Sequence, residues 1–149
     1  DWLMWQTEQR WGPDAKGADG SYDAIRVYLW LGMLAKDAPG RTQLLAHFKP
    51  MLEATARLGY VPEHVDSVSG SATGTGPVGF SAAMLPLLSA SGASAAAAVQ
   101  RERVQQAPEL ANAYYNHSLL MFGQGWDEQR YRFDKDGRLV PNWKGSCKG

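Results

Sequence analysis

The run AIRVYLWLGMLAK, Ala24 to Lys36, is apolar almost all the way round a helical wheel. A helix of that kind has no face to give to water, so other elements of the fold must surround it. The rest of the chain supplies helices for the purpose. Pro39-Gly40 breaks the run, and Arg41 to Leu58 follows with Leu44, Leu45, Phe48, Met51, Leu52 and Leu58 near helical spacing and Gly59 as a C-cap. A third helix is expected from Val78 to Ala90, with Pro86 either kinking it or closing a shorter first section. After Gly92 the stretch ASAAAAVQRERVQQ is a strong helix former, and a fifth helix is expected over Leu110 to Gln124.

Between these lie two irregular stretches. Val61 to Pro77 holds Pro62, Gly70, Gly74, Gly76 and Pro77 among Ser and Thr, which reads as a long loop with a small extended excursion. YRFDKDGRLVP, after Trp126, reads as a short β-hairpin turning at Asp-Gly. The class is all-α. Nearly all-apolar helices alternate with helices that are polar on one side, the pattern of inner and outer layers in a toroid of helical hairpins. Six hairpins need about twelve helices, so the chain is expected to hold only the later part of an (α/α)6 barrel. Its start at Asp1 rather than Met is consistent with a processed or truncated product.

Charge removes several classes of function. Lys+Arg and Asp+Glu are 15 each, so no net field gathers nucleic acid or anionic lipid, and a neutral ligand is expected. No run of apolar residues is long enough for a membrane span, and no basic-then-apolar leader is present. Cys147 is the only cysteine, which excludes an intrachain disulfide and leaves a structural zinc site without its thiolates. His47, His64 and His117 have no metal-ligand spacing, and the Gly/Ser-rich Ser69–Gly76 region lacks the lysine and the strand-then-helix context of a phosphate loop. Trp2, Trp5, Trp11 and Trp30 crowd the first thirty residues; such rings either fill core and surface seams or stack on the C–H faces of sugars.

Gly20-Ser21-Tyr22-Asp23-Ala24-Ile25-Arg26 carries a Tyr-Asp-Ala-x-Arg element, and this segment resembles the base-bearing segment of family 8 glycoside hydrolases. Gly76-Pro77-Val78-Gly79-Phe80-Ser81-Ala82-Ala83, Tyr114-Tyr115-Asn116 and Phe122-Gly123-Gln124-Gly125-Trp126 resemble, in the same order, the branch that accompanies bacterial cellulose synthesis. The resemblance covers most of Asp1 to Trp143. It implies an (α/α)6 barrel with an open cleft for a β-1,4-glucan chain. Residues 1–149 would be the C-terminal portion of a single catalytic domain whose N-terminal helices are absent from this chain and would be its partner. The implied function is endo-1,4-β-glucanase (cellulase) activity with inversion, without metal or organic cofactor. The implied setting is periplasmic or secreted, with a functional link to a cellulose synthase complex.

The same resemblance makes Asp23 the general base. The family's general acid is a Glu from an early helix, and no matching segment is present. Inversion needs two carboxyl groups roughly 6.5–9.5 Å apart, so the isolated chain is expected to have little or no activity. Glu8, Glu53, Glu63, Glu102, Glu109 and Glu128 all lie in polar surroundings that would not raise a carboxyl pKa, and Asp66 reads as a loop-stabilising Asx residue. Read without the family, Asp23 is an N-cap for the helix from Ala24. Tyr22 and Arg26 would flank the base as substrate-binding residues, with Arg26 holding the carboxylate or a sugar hydroxyl. Tyr114 and Tyr115 point about 100° apart on a helix, so one is a sugar-stacking candidate and the other packs. Two rivals remain: a non-catalytic β-glucan-binding or assembly fragment, and a polysaccharide lyase, which would want a basic cleft that this neutral chain lacks.

Overall fold

The computed structural model describes residues 3–6, 10–13, 17–107 and 113–142; side chains of residues 3–13 lie outside the description. Trp2, Glu8, Glu109, Leu110, Trp143 and Cys147 also lie outside it, as do the Trp5 and Trp11 side chains. The chain opens with an antiparallel pair, β1 (Leu3–Gln6) and β2 (Arg10–Pro13), with Trp5 opposite Trp11 in the backbone register. Helices then dominate: α1 (Ile25–Gly32), α2 (Arg41–His47), α3 (Lys49–Leu58), α4 (Val78–Ala90), α5 (Ser94–Gln105) and α6 (Tyr114–Asp127). The expected all-α architecture holds, and the expected C-terminal hairpin is the next two strands in chain order after the internal sheet described below.

Two helical boundaries differ from expectation for local reasons. The Arg41–Leu58 stretch is two helices, because Pro50 at the start of α3 has no N–H and crowds the carbonyl four residues back. The break falls at Phe48, and α3 ends as expected at Gly59, whose left-handed φ of 74° lets its N–H reach Thr55 O at 3.0 Å. The helix expected over Ala24 to Lys36 stops at Gly32. Its last turn tightens into short-range bonds, Met33 N to Trp30 O and Leu34 N to Leu31 O. Pro86 lies inside a continuous α4.

The loop Val61–Pro77 folds more regularly than expected. Strands β3 (Asp19–Gly20), β4 (His64–Asp66) and β5 (Ala72–Thr73) form one antiparallel sheet in that order, with Gly20 opposite Val65 and Val65 opposite Ala72. Val65 is fully buried and ties this sheet to the core. The hairpin after α6 is β6 (Tyr131–Phe133) and β7 (Leu139–Pro141), closed by Asp134 N to Arg138 O with Gly137 at a φ of 76°.

The centre is α4, whose residues from Gly79 to Leu88 are all buried. It packs against α1, α5 and α6. Outer-type helices behave as expected: α5 buries only Ala97, Gln100 and Val104, and α3 buries Met51, Leu52, Ala54 and Thr55. A buried polar relay joins the two layers, Ser81 Oγ donating to Gln100 Oε1 at 2.9 Å and Gln100 Nε2 to Gly59 O at 3.2 Å. The expectation that α1 is enclosed on every side is corrected. Ile25, Tyr28, Leu29 and Leu31 are buried, but Arg26, Val27 and Trp30 form an exposed face. Its apolar members reach α6 through the Trp30–Phe122 ring contact at 5.4 Å.

Both inner neighbours touch α4 at glycines. A Cβ at Gly32 would lie 2.1 Å from Leu87 N, and one at Gly123 would lie 2.1 Å from Ala82 O, so these helices meet backbone to backbone. Neither obstacle is a side chain that could swing away. Gly32→Ala should therefore destabilise the chain by about 2–3 kcal/mol despite alanine's better helix propensity, measured by urea denaturation. A variant as stable as the parent would mean that the helices are not packed so closely.

Candidate active site

The expected base, Asp23, stands in the turn between β3 and α1. The helix starts at Ile25 with Ala24 as its N-cap residue, so Asp23 is one position further out than the N-cap role assigns it. The turn is closed by Ile25 N to Ser21 O at 2.9 Å. Its carboxylate accepts from Arg26 Nη2 at 3.2 Å, with both side chains about half exposed. Arg26 thus orients the carboxylate, as its spacing suggested, in a pair open enough for water to reach.

Tyr22 is held at three points. Its ring meets Phe80 edge-on at 5.1 Å and Tyr115 at 5.8 Å. Tyr115 Oη donates to its main-chain carbonyl at 2.7 Å, and its own hydroxyl donates to Glu63 Oε1 at 2.8 Å. That bond to Glu63, aided by burial and by the carboxylate's charge, pushes the Tyr22 phenol pKa up. Tyr115 is likewise shifted upward, mainly by burial. The adjacent tyrosines divide as their 100° separation required: Tyr115 packs and Tyr114 is 84% exposed at the start of α6.

Asp23, Tyr22, Arg26 and Tyr115 are therefore one cluster, with Tyr114 next to it along the chain. Glu63 is the member that sequence reasoning missed. It was dismissed for its polar surroundings, and no periodicity connects it to a tyrosine 41 residues earlier. Asp66 is where the Asx reading put it, accepting from Val68 N, Ser69 N and Ser69 Oγ, which holds its carboxyl below the usual carboxylate range. His64 pairs with Asp19 across the neighbouring sheet at 3.2 Å.

A cavity of about 700 Å³, lined by Met33, Lys36, Arg41, Trp126, Arg132 and Phe133 among others, sits at the C-terminal end of α1. Asp23 is at the other end of that helix. Concavity alone would choose this second place, whereas the oriented carboxylate and the exposed rings favour the first. Asp37 and Asp134 place carboxylates beside Trp126 and Phe133 in that cavity as well, so what sets the first place apart is the Tyr-Asp-Ala-x-Arg turn, in which Asp23 is paired with Arg26 beside Tyr22 and Tyr115.

Comparison with known proteins gives the family. Residues 1–129 match Glycosyl hydrolases family 8. The chain is 51% identical over 148 residues to an endoglucanase of Salmonella typhi and 47% identical over 148 residues to one of Escherichia coli K12, covering 99% of this chain and 39% of each relative. The crystal structure of the endo-1,4-D-glucanase from Vibrio fischeri ES114 superposes with a TM-score of 0.75 at 34% identity, over 97% of this chain and 43% of that one. This chain belongs to glycosyl hydrolase family 8, a family of glycoside hydrolases. It spans about two fifths of the length of the curated relatives it matches. Among the described residues no helix is long and apolar enough to cross a membrane.

Beneath the cluster, burial and secondarily the charge of Asp19 push Tyr28 up from 10.0 to about 12. A raised phenol pKa means that the folded state favours the neutral ring. That stabilisation is complete below about pH 10 and is lost as pH rises toward 12. Tyr22, Tyr115 and Tyr131 are raised in the same direction. Urea midpoints measured across this window should fall, and Tyr28→Phe should flatten part of the decline; an unchanged slope would place Tyr28 in water.

Proposed function

We propose that this chain carries the general base of an endo-1,4-β-glucanase, with Asp23 activating the water that attacks an internal β-1,4 link. The observation that carries the reading is the Asp23 carboxylate, half exposed in a Tyr-Asp-Ala-x-Arg turn, oriented by Arg26, with Tyr22 beside it held at its ring, its carbonyl and its hydroxyl. In the proposed step the Asp23 carboxylate takes a proton from water while the water oxygen bonds to the anomeric carbon. The glycosidic C–O bond breaks on the opposite face, and a carboxylic acid protonates the leaving oxygen. Attack and departure on opposite faces invert the anomeric centre.

That acid is assigned to a Glu in a preceding portion of the same domain, which would complete the (α/α)6 barrel. The exposed ring of Tyr114 suits stacking on a pyranose face, and Arg26 and Tyr22 supply polar groups for its hydroxyls. The names of the relatives support a β-1,4-glucan as substrate. A role beside bacterial cellulose synthesis, in the periplasm or outside the cell, follows from the branch that the motifs resemble.

Reducing-end release from carboxymethyl cellulose tests the reading. The chain joined to its preceding portion should be active, and Asp23→Asn in that protein should lower kcat by about a thousandfold, within the range lost with a general base, with unfolding unchanged. Activity surviving Asp23→Asn would remove the assigned base. Activity of the 149 residues alone would place the acid within them, and a joined protein that binds glucan without cleaving it would favour the non-catalytic binding role.

A further inference from the structure

Two successive residues of the turn that carries Asp23 are bonded to a single distant residue. Ser21 Oγ donates to the main-chain carbonyl of Glu63 at 2.8 Å, and Tyr22 Oη donates to its carboxylate at 2.8 Å. Glu63 is itself confined. It lies directly before β4, the strand that pairs with β3 on the other side of the same turn. Gly74, at a φ of 68°, leaves room for its side chain: a Cβ there would sit 2.7 Å from Glu63 Oε2 and 2.9 Å from Glu63 Cβ. The main-chain contact from Glu63 N to Gly74 O, at 3.5 Å, continues the β4–β5 pairing past the residue.

We infer that Glu63 is a positioning residue for the proposed base: through Ser21 and Tyr22 it fixes the turn in which Asp23 stands. This inference rests on the reading of Asp23 given above. The opposite side of Tyr22 is held by Tyr115 and Phe80, from α6 and α4. With Ala at position 63 the turn keeps those contacts, its strand pairing and the Ser21 bond to the main-chain carbonyl, and loses the bond from Tyr22 to the carboxylate, so the tyrosine hydroxyl is released to water and the Asp23 carboxylate next to it gains freedom. Misplacement of a reacting group by about an ångström costs up to a hundredfold in rate, so a loosened base appears in kcat before it appears in substrate binding. The carboxylate serves as an acceptor here and takes no part in the chemistry; a carboxamide oxygen at the same place can accept the same bond.

The test compares Glu63→Ala, Glu63→Gln, Tyr22→Phe and the Glu63→Ala/Tyr22→Phe pair in the joined protein, with Asp23→Asn as reference. Glu63→Ala should lower kcat by about tenfold with KM within about twofold, while Glu63→Gln keeps most of kcat. Both singles remove the same bond, so the double variant should lose little more than the larger single. On the chain itself, tyrosine Cζ-labelled NMR, with Tyr22→Phe assigning the resonance, should show the Tyr22 phenol ionising at lower pH once Glu63 is Gln. A Glu63→Ala variant with parental kcat, or losses that simply add, would overturn the inference while leaving Asp23 as base. Equal losses in Glu63→Ala and Glu63→Gln would also overturn it, by making the charge itself the active element. Full activity of Asp23→Asn would instead remove the reading beneath it.

Discussion

The backbone-to-backbone contact of α1 and α6 with α4 is the constraint from which the rest follows. Gly32 lies on the Pro86–Leu87 peptide and Gly123 on the Ala82–Ala83 peptide, so α1 and α6 each meet the backbone of α4 directly, at two separate places. Such proximity demands a central helix with no polar face, and α4 meets the demand with ten consecutive buried residues. Its single hydroxyl in that run, Ser81, is bonded to Gln100, and the penalty for burying it is offset.

The same two contacts hold the proposed site together. Phe80, fully buried at the start of α4, is the floor on which Tyr22 rests, and Tyr115 from α6 reaches over to hold the Tyr22 carbonyl. Helices α1, α4 and α6 all begin near this cluster, so their packing brings Tyr22, Phe80 and Tyr115 together from three distant parts of the chain. The remaining side is closed by the small sheet β3-β4-β5. An oriented but exposed Asp23 is what this scaffold leaves at its rim.

Much of this was legible in the sequence, for physical reasons. Helix α4 was read with its boundaries because Pro77 and Gly92 bracket an unbroken apolar run, and the α3 terminus because Gly59 is a C-cap. The split of Tyr114 and Tyr115 followed from helical geometry, and Asp66 from the local hydrogen bonds that Asx residues make. What was not legible is non-local. Strands of two or three residues carry no alternation to detect, so β3-β4-β5 passed for loop. Glu63 was unreadable because its role depends on that sheet. The exposed Val27 and Trp30 face of α1 was misjudged because apolar composition does not say whether neighbours are present on every side. The division at Phe48 was a different case, since Pro50 announced it.

The central claim is that glucan meets this chain at the N-terminal end of α1. Chemical-shift mapping of the ¹⁵N-labelled chain during titration with a cello-oligosaccharide tests it most directly. The account predicts perturbations centred on Tyr22, Asp23, Arg26 and Tyr114. Shifts confined to the cavity at the other end of the helix, around Lys36, Arg41 and Trp126, would contradict it.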